Sequence, residues 1–145
     1  MKNNKIYFLK KISNISRIYS LMSVFFAGSG HPGGILSSMD IIVYLIVTEL
    51  KIKKLSDFKK ANRSRFVLSK GHSVPAVYST LAAVGVINYK NILNLRKINS
   101  VFQGHPCRIN TPWVEASTGS LGQGFSFAIG QALALKYFKN KSKVF

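Results

Sequence analysis

The chain has 145 residues, 47% of them hydrophobic, so it is long enough for one domain with a real core and is neither low-complexity nor repetitive. Lys and Arg number 21 against four acids, a formal charge of +17. That excess fits either a polyanion partner, such as RNA or an anionic membrane, or a compositional bias toward Lys and Asn; its even spread along the chain favours the bias. No Arg-rich run, zinc-ligand cluster or aromatic-basic motif is present, so neither nucleic acid nor membrane is expected as a partner.

From the N-terminus, basic residues up to Lys11 precede an apolar stretch to Ala27. Lys10, Lys11 and Arg17 interrupt it, which argues against a secretory leader. Ile12, Ile15, Tyr19, Met22 and Phe26 recur at spacings of three and four, predicting an amphipathic helix from about Ile6 to Phe26 that breaks at Gly28-Ser29-Gly30. His31-Pro32-Gly33-Gly34 reads as a turn. Ser37 reads as the N-cap of the next helix, with Asp40 in a capping-box position and Met39, Ile42, Val43 and Ile46 buried. Asp40 and Glu49 fall inside the apolar run from Ile35 to Leu50, which is expected to be too short to span a bilayer.

A charged connection follows from Lys51 to Ser64, then a strand over Arg65-Phe66-Val67-Leu68-Ser69. Pro75 to Val84 reads as a helix closed by Gly85, and Asn88 to Ile98 as another. Val101 to Trp113 reads as a loop with two prolines. Leu121 to Lys139 is helical and rich in small residues, as in a helix packed tightly on a sheet or another helix. Lys143-Val144-Phe145 reads as a strand barely begun. Helices alternating with short strands predict an α/β domain with a parallel sheet. A central strand needs the rest of its sheet to pair its backbone, so the chain is expected to be cut short, with apolar surface exposed along its last helix.

The chemistry-bearing residues lie in four glycine-rich motifs: Ser29-Gly30-His31-Pro32-Gly33-Gly34, Ser69-Lys70-Gly71-His72, Gly104-His105-Pro106 and Glu115-Ala116-Ser117-Thr118-Gly119-Ser120-Leu121-Gly122-Gln123-Gly124. The chain's three histidines all fall in these motifs, beside glycines that let backbone approach a ligand closely. The fourth motif feeds a helix N-terminus, where exposed N–H groups favour anions. Each motif alone is compatible with a structural turn; four in one order are not independent. Cys107, the one cysteine, excludes an internal disulfide, fits a reducing cytoplasm and reads as an incidental thiol.

In order and spacing these motifs resemble the N-terminal thiamine-diphosphate-binding domain of transketolases, from about Ser13 to Phe145. Asn62-Arg63-Ser64-Arg65-Phe66-Val67-Leu68-Ser69-Lys70-Gly71-His72 also follows that pattern, except that Ser64 stands where the family usually carries Asp. The resemblance implies the first half of a doubly wound parallel sheet with flanking helices, one partial domain over residues 1–145. It implies two-carbon ketol transfer between sugar phosphates of the pentose phosphate pathway on thiamine diphosphate. His72 would contact the diphosphate, Gly119, Ser120 and Leu121 would line the cofactor site, and His31 and His105 would hold sugar hydroxyls and assist proton transfer. It further implies Mg²⁺ or another divalent cation held by a Gly-Asp-Gly motif and an Asn that this sequence does not contain. A pyrimidine-domain chain or C-terminal remainder, and a dimeric assembly, are implied as partners. The chain alone is expected to be inactive. The alternative reading is a degenerate non-catalytic remnant or a basic RNA- or membrane-binding protein.

Overall fold

The computed structural model describes residues 2–145. α1 (Lys2–Ala27), α2 (Pro32–Tyr44) and α3 (Val74–Ala83) pack on one another and carry the core, with a one-turn α4 (Tyr89–Ile92) on α3 and a peripheral α5 (Gln123–Tyr137). α1 is longer than its apolar spacing predicts, and its buried seam differs. Ile12 is buried as expected, but Ser13, Ser16, Ser20 and Ser23 fill the rest, while Phe26 is exposed. Small side chains let α2 and α3 approach closely. Three of the four hydroxyls are satisfied within the helix: Ser16 donates to the Ile12 carbonyl and Ser23 to that of Ser20, each at 2.8 Å, and Ser20 to that of Arg17 at 3.0 Å. Gly28, at φ +65°, ends α1 with its N–H on the Phe25 carbonyl.

The turn expected at His31–Gly34 is instead the start of α2. Pro32 sits in the first turn, where its fixed φ suits a helix and its missing N–H costs nothing. Ser37 is therefore not the N-cap; inside the helix it donates back to the Gly34 carbonyl at 3.2 Å. Asp40 is not a capping residue either, because Arg17 and Ser13 of α1 hold its carboxylate, Arg17 at 2.9 Å. α2 buries Ile35, Met39, Ile42 and Val43 and runs into a π-helical turn, Leu45–Leu50, that buries Ile46. The combined stretch Pro32–Leu50, 19 residues at mean hydropathy 1.6, is long and apolar enough to cross a membrane by that measure, contrary to the sequence expectation. Its inner face is the core seam between α1 and α3.

Within the charged connection, a 3-10 turn (Leu55–Lys59) forms around buried Asp57, which accepts from the N–H groups of Lys53 and Lys54 at 2.9 and 3.1 Å. α3 is buried along almost its whole length. Tyr78 meets the rings of Phe102 and Trp113 edge-on, with centroids 5.2 and 5.6 Å away. The helix expected over Asn88–Ile98 stops at Ile92. Arg96 and Asn99 take left-handed φ values of 61° and 63°, which turn the chain back so that the Arg96 N–H meets the Phe102 carbonyl at 2.9 Å.

The doubly wound sheet is not formed among the described residues. In its place is one parallel bridge between Arg65 and Val144, the orientation the sequence predicts. Three bonds make it: Arg65 N–H to the Lys143 carbonyl at 2.7 Å, Phe145 N–H to that of Arg65 at 3.0 Å, and Val67 N–H to that of Phe145 at 3.0 Å. Residues 143–145 supply just one paired position, too few for a ladder. α5 also departs from expectation: Gly124 alone is buried and Ala128 half-buried, while Ser126, Gly130, Ala132 and Ala134 are exposed.

Candidate functional site

The chain segments that carry the four glycine-rich motifs converge at one edge of the core. His31 is the residue just before α2, and its side chain makes no capping bond, so the imidazole stands clear of the helix end. His72 lies in a short 3-10 turn, Gly71–Ser73, that leads into α3. His105 lies in the loop after α4. The His31 ring centroid is 5.1 Å from that of His72 and 6.4 Å from that of His105. Sequence separations of 41 and 74 residues thus close into one row of imidazoles, with His31 between the other two.

Glycines make that convergence possible. A Cβ on Gly34 would lie 2.8 Å from the His72 Cδ2 and 2.9 Å from its Nε2, so the α2 backbone can touch the imidazole face only without a side chain. A Cβ on Gly71 would meet the Thr118 carbonyl oxygen at 2.6 Å, and one on Gly124 would meet the Ser69 Cα at 2.6 Å. The second and fourth motifs are therefore in backbone contact. Thr118 reinforces them by donating its hydroxyl to the Leu68 carbonyl at 2.6 Å and its N–H to the Pro106 carbonyl at 3.3 Å. Lys70 ties the second motif to the first: its ammonium donates to the Gly34 carbonyl and the Ser37 and Ser38 hydroxyls at 2.9, 2.9 and 3.2 Å.

Gly119, Ser120 and Leu121 lie exposed on the same side, and a Cβ on Gly119 would come within 3.5 Å of the His105 ring. Gly122, at φ +93°, is the N-cap of α5, a conformation glycine adopts without strain. Among the described residues the N–H groups of Gly119, Ser120 and Leu121 donate no backbone hydrogen bond. The three residues are exposed just before the N-terminus of α5, with Gly119 beside the His105 imidazole.

The electrostatics are those of a cationic surface with its protons held loosely. His72 is kept below the ordinary histidine value, first by burial and then by His31, Lys70 and His105 nearby. Burial lowers His105 as well, followed by the Arg96 guanidinium and His31. None of the four acids faces the cluster: Asp40 pairs with Arg17, Asp57 with Lys60, Glu115 with Arg63 and Glu49 with Lys143. Among the described residues no group of three His, Cys, Asp or Glu side chains is placed to hold a metal ion.

All six residues singled out from sequence lie at this edge. Two features there were not legible. One is the Arg63–Glu115 ion pair, whose side chains are both more than 90% buried. Arg63 also donates to the Phe58 carbonyl at 2.8 Å, and Arg108 donates to the Glu115 carbonyl at 2.9 Å, so the pair anchors the start of the fourth motif. The other is Arg96, which donates to the Ser29 hydroxyl at 3.1 Å. The sequence pattern places it in a helix, whereas α4 ends at Ile92 and Arg96 takes a left-handed φ. Cys107 is half-buried and belongs to no catalytic pair; its carbonyl accepts from the Thr111 N–H at 2.7 Å.

Comparison with known proteins gives a consistent result. The family described as transketolase, thiamine diphosphate binding domain, matches residues 9–143. The mouse (Mus musculus) protein named transketolase is 40% identical over 138 residues, which cover 95% of this chain and 22% of that protein. One of the subunits of the apulose-4-phosphate transketolase of Phocaeicola vulgatus is 38% identical over 122 residues, 84% of this chain and 43% of that protein. Among solved structures, transketolase from Leishmania mexicana superposes with a TM-score of 0.80 at 32% identity, over 90% of this chain and 19% of that one. The chain thus spans about a fifth of the length of its full-length relatives.

Proposed function

The chain belongs to the transketolase family, by its thiamine diphosphate binding domain, and from that premise we propose that it forms the N-terminal part of a cytoplasmic enzyme moving a two-carbon ketol unit between sugar phosphates. The observation that carries this reading is the row of three imidazoles beside the exposed Gly119–Leu121 backbone.

The residues fit the cofactor's diphosphate. The α2 backbone at Gly34 holds the His72 ring in place, and N–H groups that donate no backbone hydrogen bond lie beside His105 in the same row of imidazoles. His72, with its pKa held low, is neutral near pH 7 and can donate one N–H to a diphosphate oxygen while its other nitrogen accepts. Gly119, Ser120 and Leu121 would take further oxygens on their main-chain N–H groups. Thiamine diphosphate, when bound, supplies the nucleophilic carbon that the two-carbon chemistry needs. His31 and His105 would hold the hydroxyls of the sugar and relay protons, since an imidazole ring carries both a donor and an acceptor nitrogen. Among the described residues no cluster of His, Cys, Asp or Glu fits a divalent cation, so on this reading its ligands, like the activating pyrimidine domain, would come from a remainder or partner chain. The Phocaeicola relative is named as one of the subunits of its enzyme, which supports a two-chain arrangement. In that assembly the Arg65–Val144 bridge would be the first rung of a doubly wound parallel sheet, and two copies would share the active sites.

The test is ketol transfer from a ketose phosphate to an aldose phosphate. The chain is assayed alone and with the missing region of a relative added as a second polypeptide. No turnover is expected alone. Activity is expected in the mixture, falling at least tenfold, about 1.4 kcal/mol of transition-state stabilisation, in His31→Asn and His105→Asn. Turnover by the chain alone, or a mixture indifferent to both substitutions, would overturn the reading.

A further inference from the structure

His31 and His105 sit on different loops, and no bond joins their rings; something must fix their separation. Arg96 stands between those loops. Its guanidinium donates to the Ser29 hydroxyl, two residues before His31, at 3.1 Å. The same guanidinium lies so close against Gly104, the residue before His105, that a Cβ there would overlap it, with Cζ and Nη2 each 2.9 Å away. The base of this side chain is fixed. Leu95 beside it is fully buried, the Arg96 N–H is bonded to the Phe102 carbonyl, and the Tyr78 hydroxyl holds the Gln103 carbonyl at 3.2 Å. The left-handed φ of Arg96 is what turns its side chain region back toward both loops. No carboxylate competes for the guanidinium, since every acid in the chain is paired elsewhere.

We propose that Arg96 is a positioning residue: it braces the His31 loop against the His105 loop and so sets the spacing at which the two imidazoles meet a shared ligand. The ligand side of this statement rests on the function proposed above; the brace itself does not. The charged and titratable groups around His105 are Arg96, His31 and His72, so removing the guanidinium also removes the main cationic neighbour of His105.

The experiment is NMR of the 145-residue chain with labelled histidines, reading the pH midpoint of each ring and the cross-peaks between the His31 and His105 rings. Arg96→Gln is expected to raise the His105 midpoint and to weaken those cross-peaks. Ser29→Ala keeps the charge and removes the bond, so it is expected to weaken the cross-peaks while leaving the His105 midpoint near that of the parent chain. Arg96 is exposed, and both variants are expected to keep the parent's helical content. Cross-peaks unchanged in both variants would overturn the brace, even with a shifted midpoint, leaving Arg96 as a nearby charge only. Neither readout involves cofactor or turnover, so the brace and the proposed activity fail independently.

Discussion

At the scale of single residues, Gly34 separates binding from folding. It lies inside α2, where alanine is the better helix former by about 1 kcal/mol. Gly34→Ala would nonetheless place a methyl group within 3 Å of the His72 ring. That side chain can swing away, so thermal stability is expected to change little while His72 is displaced. Thiamine diphosphate affinity of the completed enzyme should drop at least tenfold, about 1.4 kcal/mol, measured by calorimetric titration beside a melting curve. A second expectation follows from the lowered pKa values of His72 and His105. Each binds its proton less readily folded than unfolded, so below the ordinary value of 6.5 the unfolded state gains protons first. The stability contribution is complete above pH 6.5 and is lost as pH falls through that value toward the lower folded pKa. Urea midpoints taken from about pH 8 to about pH 5 should fall, and His72→Gln should flatten the slope. Solvent screening at this open site keeps the effect small.

At the scale of elements, α5 and α3 are opposites. α3 is apolar and buried on nearly all sides, whereas α5 is similarly apolar yet leaves Phe125 and Tyr137 66% and 81% exposed, with Leu133 and Phe138 alongside. An apolar stripe of that extent on a free chain promotes association. Leu133→Lys together with Tyr137→Lys should therefore lower self-association in sedimentation velocity while shifting the unfolding free energy by no more than about 0.5 kcal/mol, as for other surface changes. Periodicity alone could not reveal this difference. α5 reads as a helix made to pack tightly, and the sequence pattern records what a face is suited to, not whether a partner is at hand. Helix boundaries depart from the sequence pattern for local reasons of the same kind. Pro32 reads as a turn residue and starts α2, and Arg96 and Asn99 end the α4 region by adopting left-handed conformations that their residue types do not announce.

At the scale of the whole molecule, the site was more legible than the fold. The glycines of all four motifs and the histidines of three of them can be seen in the sequence because their chemistry is local. Their convergence was implied by the family resemblance, and the backbone contacts at Gly71 and Gly124 provide its physical basis. Of the sheet, the described residues form one parallel bridge, because a β-ladder depends on distant partners that no local pattern supplies. The Arg63–Glu115 pair was invisible for the same reason: its members are far apart in sequence and meet only in three dimensions. Both side chains are nearly sealed from water, so removing one charge leaves the other stranded. Glu115→Gln is expected to destabilise the chain by about 3 kcal/mol or more, read from denaturant midpoints, whereas Glu49→Gln, at a half-buried carboxylate whose pair with exposed Lys143 is 3.6 Å long, should cost no more than about 1 kcal/mol.

The Arg65–Val144 bridge also bears on time. It joins segments 79 residues apart, as does the bond from the Lys143 N–H to Ser64, while α2 packs on α1 and on α3 across the shorter connections 28–31 and 45–73. Distant contacts carry a larger loop-closure entropy and are late events in folding. Thr118 reaches Leu68 across 50 residues, and the fourth motif lies between these two closures. The histidine on α2's threshold and the one before α3 would thus be in place while the anion-facing loop is still unanchored. In a stopped-flow refolding trace, the capacity to bind a diphosphate would mature with the slowest phase, after the helical signal has already reached its plateau.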